Sequence, residues 1–424
     1  MGQLAEEHWL RVGVSALEVS VPRGTPMAGF AARTEPSAGV HDPLSVRALV
    51  IEDMCWITID VCGLDEVTCL NIRQATPFLT ERVIVSATHT HSGPCSMSSR
   101  LGQADERLIE IISARAVDAA HMAAATQRLC SVGYEGFSGL GIAHDRRHTS
   151  DEIDPELQVL VFRSSVGSIV AWLLQFPCHP VVLGADNLLI SGDYPSFARL
   201  ILEQREPGSV AIFLTGAAGD VNTGHSAESS YSLEVSSRRT FEEAERIGRR
   251  LATAGFAASQ AALRPQNQLA MATKSIELEL EPLDLESPHE LAQGWAHKAK
   301  SAAPGERAIL EIWSDWAHAR NRTSQLSWVG TVTVVRLADI LLVALPGEPF
   351  LEGAEKIKEA FDRPVIVVGY SNGCPGYFPS AAEYDFGGYE VLDAHRYYGM
   401  DAPFKRGSLE TIVETAVSLG RQLA

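Results

Sequence analysis

Two histidines separated by one residue, His89 and His91, are the side chains whose types and spacing most clearly suggest chemistry in this sequence. They follow the apolar run 82–87 and precede Ser-Gly-Pro, so a strand is predicted to open into a loop here. In an extended segment, residues two apart point to the same side, and both imidazoles could therefore face one metal ion. By itself, the pair has two interpretations. The two histidines are equal candidates for metal ligands, or they form an ordinary polar end of a strand.

Three further segments repeat the pattern of an apolar strand, a turn with Gly or Pro, and a side chain able to bind a metal or a substrate. His179 stands between two prolines, which hold its backbone stiffly. Glu348 follows Pro-Gly, where a carboxylate could cap a helix, bind a metal or act as a base. The Gly-rich segment 369–377 contains two tyrosines and fits either a tight binding loop or a loop packed by aromatic rings.

Taken together, His89, His179 and Glu348 would supply the His2Glu ligand set of a catalytic zinc site, with one position open. Zinc lowers the pKa of a bound water toward about 7 and polarises a carbonyl group. The residues therefore favour a zinc-dependent hydrolase.

The predicted elements favour a mixed α/β architecture, because short apolar strands alternate with helical segments. We predict helices over 104–128, 239–263 and 287–319, the last broken at Pro304-Gly305. We predict strands over 47–51, 56–60, 82–87, 157–162, 168–176, 210–214, 273–280 and 328–345, and the first 100 residues indicate only strands and short loops.

The chain offers no convincing linker, so we predict one catalytic unit over 1–424, with 270–345 as a candidate subdomain. The Ser-rich segment 225–237 is predicted to be a surface loop, either a solvated linker or a lid over a substrate.

Composition disfavours several classes of protein. The formal net charge of −18 disfavours nucleic acid and anionic lipid as partners. No apolar run reaches the roughly 18 residues of a membrane helix, and the first residues lack the pattern of a signal peptide. The seven cysteines include no C-x-x-C pair and are typical of free thiols in a reducing compartment. We therefore predict a cytoplasmic protein without stable membrane association. The sequence does not indicate its oligomeric state.

As a set, these motifs resemble those of the neutral/alkaline ceramidase family over nearly the whole chain. The segments that carry the resemblance are 27–30, 39–41, 87–94, 176–180, 189–193, 219–222, 345–348 and 370–377. The resemblance implies an α/β catalytic domain of mixed β-sheets with flanking helices. It also implies a zinc ion held by His89, His179, Glu348 and Tyr377.

The resemblance divides the histidine pair, because it assigns His91 to the substrate rather than to the metal. There His91 could donate to a developing oxyanion or relay a proton. The resemblance also implies that Arg146 and Tyr389 contact the substrate, although Asp145 stands where the family usually has Asn.

Three departures from the family favour a small soluble amide, such as an N-acyl amine, over membrane-embedded ceramide. Asn222 occupies the position of a serine thought essential in the ceramidases, and an amide is no serine-type nucleophile. We therefore expect zinc-activated water to attack directly while Asn222 orients substrate or water. We also expect this protein to lack the C-terminal β-sandwich domain of the ceramidases and a secretion signal.

Two alternatives stay open. The same site could serve an esterase or a lactam-opening hydrolase, since its ligands do not reveal the bond that is cleaved. Asn222 also motivates a non-catalytic, zinc-containing binding protein.

Several acidic residues near the motifs have two interpretations each. Asp60 and the pair His41-Asp42 could orient the metal histidines, or they could serve as ordinary caps and turn residues. Asp193 and Asp220 are predicted to brace the loops around the site.

Overall fold

The protein is represented by a computed structural model, which describes residues 9–97, 100–226, 233, 236–264, 268–282, 287–320 and 326–423. Most of the Ser-rich segment 225–237, with its predicted linker or lid, lies outside the described residues.

The strands of the described chain are numbered in chain order. They are β1 (Leu10–Val19), β2 (Gly39–Val40), β3 (Leu44–Ile51), β4 (Met54–Ile59), β5 (Val83–Ala87), β6 (Arg128–Phe137), β7 (His144–Asp145), β8 (Leu157–Ser164), β9 (Ile169–Phe176), β10 (Leu189–Ile190), β11 (Val210–Thr215), β12 (Val221–Asn222), β13 (Leu269–Glu279), β14 (Ser327–Leu337), β15 (Ile340–Ala344), β16 (Glu348–Pro349), β17 (Val365–Val368) and β18 (Tyr377–Phe378).

The α-helices are numbered in the same way. They are α1 (Glu66–Ala75), α2 (Glu106–Ala125), α3 (Asp193–Arg205), α4 (Phe241–Ala257), α5 (Pro288–Ala299), α6 (Pro304–Ala319), α7 (Leu351–Glu359) and α8 (Ser408–Leu423). Short helical turns cover Thr80–Arg82, Ala258–Gln260, Ala381–Asp385 and Ala394–Arg396, and Tyr389–Asp393 is π-helical. None of the helices in the described ranges has the length and apolar character needed to cross a membrane.

Two mixed sheets form the centre of the fold. The larger has the strand order β11-β9-β8-β6-β1-β3-β4-β5, and the smaller has the order β13-β14-β15-β17. Parallel pairs occur at β11–β9, β4–β5 and β15–β17, while the other neighbours are antiparallel. The predicted mixed α/β fold is therefore confirmed.

The sheets pack against each other because their strands are apolar on both faces. Alternate residues of β15 point to opposite sides, so Leu342 joins the core shared with Trp56 of the larger sheet. Leu341 instead faces the cluster that contains Ile357 of α7 and Ile412 of α8. The outer face of the larger sheet is covered by α2, α3 and α4.

The structure confirms most of the predicted elements. Helix α4 begins where expected, with the Thr240 hydroxyl accepting a hydrogen bond from the Glu243 N–H. The predicted break at Pro304 separates α5 from α6. The expectation of only strands and loops in the first 100 residues is wrong, because α1 lies there, capped by Asp65. Because much of the surface of α1 is polar and half exposed, its sequence shows no clear apolar stripe. The single catalytic unit and the subdomain 270–345 stay predictions.

Backbone hydrogen bonds join the ends of five strands, from which the candidate site residues emerge. They connect Gly216 with Phe176 after β11 and β9, Gly369 with Thr215 after β17 and β11, Ala87 with Tyr370 after β5 and β17, and Leu345 with Val368 after β15 and β17. The loops that follow these strands are therefore held together at one place.

Candidate active site

His89 and His91 lie just beyond β5 in an irregular segment rather than in an extended strand. The strand ends at Ala87, and His89 has a φ of 65°, which is rare for a residue with a side chain. Its backbone N–H donates to Val61 at 2.9 Å. The two rings nevertheless converge as predicted, with 3.2 Å between their Nε2 atoms.

His179 follows β9, and its side chain is oriented by backbone carbonyls. Its Nδ1–H donates to the Ala218 oxygen at 2.6 Å, so its Nε2 carries the lone pair in the neutral ring. His89 is held in the same way, because its Nδ1 contacts the carbonyl oxygen of Cys62. Both rings are thus fixed in the tautomer that a metal ion requires at Nε2.

Glu348 completes a buried three-residue cluster. Its Oε2 lies 2.9 Å from His179 Nε2 and 3.2 Å from His89 Nε2, and all three side chains are at most 1% exposed. The ligand atoms of the three residues lie within 4.8 Å of one another. The lone pairs of two buried imidazoles here face a buried carboxylate. Because such groups are costly to bury unpaired, a positive charge between them would stabilise the arrangement. The residues therefore fit a divalent metal ion, and the set matches a catalytic zinc site with an open position.

The pKa values of Glu348, His89 and His179 are shifted by burial and by the charges of their neighbours. Burial would raise the pKa of Glu348, but His89 and His179 bring it well below its usual value. Burial lowers the pKa of His89, yet Cys62 and Glu348 raise it to about 10. Burial and the charge of Arg146 lower the pKa of His179 to about 4.

Three tyrosines surround Glu348. The hydroxyl of Tyr370 donates to Oε2 at 3.4 Å, while its ring stacks on His89 with centroids 4.1 Å apart. The hydroxyl of Tyr398 donates to Oε1. Tyr377, the predicted fourth ligand, stacks on His179 with ring centroids 6.5 Å apart, and the guanidinium of Arg146 lies 5.3 Å from its ring centroid. Tyr377 therefore lies beside the cluster, and its role as a ligand stays a prediction.

A cavity of about 460 Å³ opens beside this cluster, and three of the predicted substrate-binding residues line it: His91, Arg146 and Tyr389. Arg146 is held by the Gly219 carbonyl at 2.7 Å and by Glu390 at 2.8 Å. The size is in the range of small-molecule sites. The structure thus brings a candidate metal site and a candidate substrate site together.

Two neutral ceramidases are among the curated proteins that are similar to this chain. Neutral ceramidase of Pseudomonas aeruginosa is 25% identical over 232 residues, or 46% of this chain. Neutral ceramidase A of Dictyostelium discoideum is 22% identical over 258 residues, or 52% of this chain. These alignments span only 34% and 36% of the two relatives. No family model matches the chain.

The solved structures extend the likeness to the whole chain. The crystal structure of the Pseudomonas aeruginosa neutral ceramidase matches 99% of this chain with a TM-score of 0.77, at 17% identity. A structure described as ceramidase complexed with C2 matches 98% of it with a TM-score of 0.75, at 16% identity. This chain covers 75% of each. It has a neutral-ceramidase-like domain. The resemblance and the fold that were predicted from the motifs are confirmed.

Within the ceramidase-like domain, Asn222 is held in a turn and does not line the cavity. Its side-chain oxygen accepts hydrogen bonds from the N–H groups of Gly224 and His225, both at 2.9 Å. Its Nδ2 donates to the carbonyl of His225. The residue is 2% exposed, and the cavity is lined by other residues. Its predicted role in orienting substrate or water stays a prediction.

The acidic residues around the site contact the backbone and side chains next to it rather than the metal candidates. Asp60 accepts a hydrogen bond from Thr88, the residue before His89, at 3.1 Å. Asp220 accepts from the backbone of Leu351 at 2.8 Å. Other such contacts join Asp42 to Gly192 and Asp193 to Leu183.

Four residues of the site were not assigned from the sequence: Gly29, Arg33, Tyr370 and Tyr398. The tyrosines lie 22 and 50 residues beyond Glu348. Their spacing follows no helical or strand period, so only the folded chain shows the contact. Arg33 donates to the His91 carbonyl at 2.8 Å, across 58 residues.

Gly29 fixes the ring of His91 by close approach. Its φ is +101°, and a Cβ built there would lie 2.5 Å from His91 Cγ and 2.7 Å from Nδ1. We predict that Gly29→Ala displaces the His91 ring and lowers kcat by about tenfold or more, since small misplacements of catalytic groups are costly. Zinc content, which depends on other residues, should be unchanged.

The control for this prediction is Gly294→Ala on the exposed face of α5, where an added Cβ meets nothing within 4 Å. Kinetics and metal analysis of both variants check the result. Wild-type kcat in Gly29→Ala would show that the His91 ring position is unimportant.

Proposed function

We propose that this protein is a zinc-dependent hydrolase that cleaves the amide bond of a small soluble substrate, such as an N-acyl amine. The observation that carries the proposal is the buried convergence of His89, His179 and Glu348 beside a cavity, within a ceramidase-like domain. Both curated relatives are named as ceramidases, and ceramide is an amide. Because the alignments span about a third of those relatives, the activity of the whole proteins comes to this chain as a proposal.

Zinc in this site would supply a water of lowered pKa and polarise the carbonyl of the substrate. The protein residues around it would position the other groups of the reaction. His91 lines the cavity with its Nε2 close to His89, so it could donate to the oxyanion or pass a proton to the leaving amine. Tyr389 and Arg146 lie on the same cavity and are proposed to hold the substrate.

The size of the cavity supports a compact substrate. A volume of about 460 Å³ suits a molecule of drug size, whereas a lipid with two long chains would leave most of its chains outside. We also propose a cytoplasmic location, supported by seven cysteines that are all buried and free.

Removal of the metal should abolish the proposed activity. We predict that dialysis against a zinc chelator lowers amide hydrolysis at least a hundredfold, because no described residue of the cavity would replace the activated water. Addition of one equivalent of Zn²⁺ should restore it. Hydrolysis of a panel of N-acyl amines, with matched esters and lactams, measures both steps.

The matched control is the chelated protein after readdition of Mg²⁺, which prefers oxygen ligands and should not restore activity. Full hydrolysis by protein whose metal content is verified as zero would contradict the proposal. A zinc-loaded protein that is inert across the panel would favour the binding protein instead.

A further inference from the structure

One wall of the cavity is built on elements that other contacts hold in place. It consists of one side of α6 and of the segment 396–401. The indole N–H of Trp316 in α6 donates to the carbonyl of Met400 at 2.9 Å, which joins the two parts. The guanidinium of Arg396 lies over the rings of Trp295 at 5.1 Å and Trp313 at 4.7 Å. Charged groups on this wall therefore have fixed positions.

Four arginines line the cavity, and two of them are balanced by carboxylates. Arg146 pairs with Glu390, and Arg396 pairs with Asp393 at 2.6 Å. The other two are Arg33 and Arg320. Within the described part of the chain, neither has a carboxylate oxygen within 4.0 Å.

Arg33 is a buried cation that only neutral groups surround at hydrogen-bond distance. It is 7% exposed and donates to the carbonyls of Ala28, His91 and Gly184 at 2.8 to 3.0 Å. Its Nε–H has no partner in the described chain. Burial lowers its pKa to about 10, so it remains charged at neutral pH. A buried charge without a partner of opposite sign destabilises a protein, so its presence here calls for a functional reason.

Arg320 supplies the second unbalanced charge, at the end of α6. Its Cζ lies 4.6 Å from the centroid of the Trp316 ring, which fixes the guanidinium by a cation–π contact. The arginine fork is suited to a carboxylate, which it can bind through two parallel hydrogen bonds.

Two aspartates also line the cavity, but each has other surroundings. Asp315 is exposed and borders a neighbouring groove that contains Lys300 and Arg307. Asp401 is engaged in a contact of its own. The excess of unpaired charge on the cavity wall is therefore positive, in a chain whose net charge is −18.

We propose that the substrate of this site is an amide that carries a carboxylate, which Arg320 binds while Arg33 adds its positive field. This inference rests on the proposed amide hydrolase function and names its substrate class. An N-acyl amino acid has the required chemistry, because it carries both an amide and a carboxylate. A neutral amide would leave both arginines without a carboxylate at ion-pair distance.

The test compares two compounds of nearly equal size, N-hexanoylglycine, which carries a carboxylate, and N-hexanoylglycinamide, which is neutral. Release of hexanoate is measured for both, because the second compound also has a terminal carboxamide. With zinc-loaded wild-type protein, kcat/KM should be at least about tenfold higher for the acid, mainly through a lower KM. Arg320→Gln should raise the KM for the acid about tenfold and leave the kinetics of the amide unchanged. Arg320→Lys, which keeps the charge, should retain part of the preference.

Arg107→Gln is the charge-matched control, since Arg107 is exposed on α2 and does not line the cavity. Equal kinetics for the two compounds, or an unchanged ratio in Arg320→Gln, would overturn this inference but not amide hydrolysis. If neither compound is hydrolysed, the proposed function fails. Calorimetric binding of the two compounds then decides the inference, because only preferential binding of the acid would support it.

Discussion

Replacement of Glu348 by glutamine should reduce bound zinc from about one ion per chain to nearly none and lower kcat/KM at least about a thousandfold. The carboxylate is the anionic member of the proposed ligand set, and it lies within 3.2 Å of both imidazole Nε2 atoms. A neutral amide cannot offset the charge of the metal in a site as deeply buried as this one. Metal analysis and hydrolysis of the best amide substrate measure the two effects.

Glu352→Gln is a matched control on the same part of the chain. Glu352 lies in the first turn of α7, about half exposed, and forms an ion pair with Lys356 at 2.6 Å. Exposed pairs of this kind contribute about 0–1 kcal/mol, so zinc content and activity should stay at wild-type values. Wild-type zinc content in Glu348→Gln would remove Glu348 from the metal site.

Replacement of Arg199 by leucine should lower the free energy of unfolding by about 3–5 kcal/mol, because it leaves Asp60 buried without its counter-charge. Arg199 binds both oxygens of Asp60, at 2.8 and 2.7 Å, and both side chains are at most 2% exposed. The same carboxylate accepts hydrogen bonds from Ser45 and Thr88. Denaturant unfolding measures the loss.

The matched control is Arg249→Leu, which breaks an exposed pair with Glu245 on α4 and should change stability by less than about 1 kcal/mol. If Arg199→Leu does not fold, Arg199→Lys keeps the charge but loses the bidentate geometry, and a smaller loss of the same sign is expected. A loss below about 1 kcal/mol in Arg199→Leu would contradict the importance of the pair.

The pair also has a predictable dependence on pH. Burial would raise the pKa of Asp60, but Arg199 and Arg47 bring it below its usual value. An acid with a lowered folded pKa stabilises the protein above its unfolded pKa of about 3.9 and loses that contribution as pH falls through the folded pKa. The wild type should therefore lose stability in acid more steeply than Arg199→Leu does.

The candidate metal ligands could be predicted because each follows a recognisable strand. His89, His179 and Glu348 come shortly after β5, β9 and β15, and apolar runs in the sequence mark all three strands. That the three strand ends meet could not be deduced from those runs. It depends on hydrogen bonds between loops, such as Thr215 to the Thr88 carbonyl at 2.7 Å.

Conformations that are rare for their residue type were beyond sequence reasoning. His89 and Tyr370 both have a positive φ, 65° and 52°, although neither is glycine. Such strain persists where the surroundings fix the backbone, and it is common at functional sites. The sequence predicts that the two histidines converge from an extended strand. In the folded chain they converge through a tight turn instead.

Contacts between distant segments explain the remaining gaps. Tyr398 lies in an irregular segment, and nothing in its local sequence indicates that its hydroxyl contacts Glu348. Arg33 and Arg320 lie far apart in the sequence, and only the folded chain brings them to the same cavity. The role of Asn222 was predicted from the resemblance alone. Nothing in its local sequence indicates the hydrogen bonds that hold it in a turn.

The most direct test of the zinc site is a crystal of the zinc-loaded protein measured at the zinc absorption edge. We predict one anomalous peak per chain, at about 2.0–2.2 Å from His89 Nε2, His179 Nε2 and an oxygen of Glu348. A peak at the neighbouring group of Cys62, His89 and His91, without Glu348, would contradict the proposed ligand set. So would the absence of any peak near His89 in protein that is loaded with zinc.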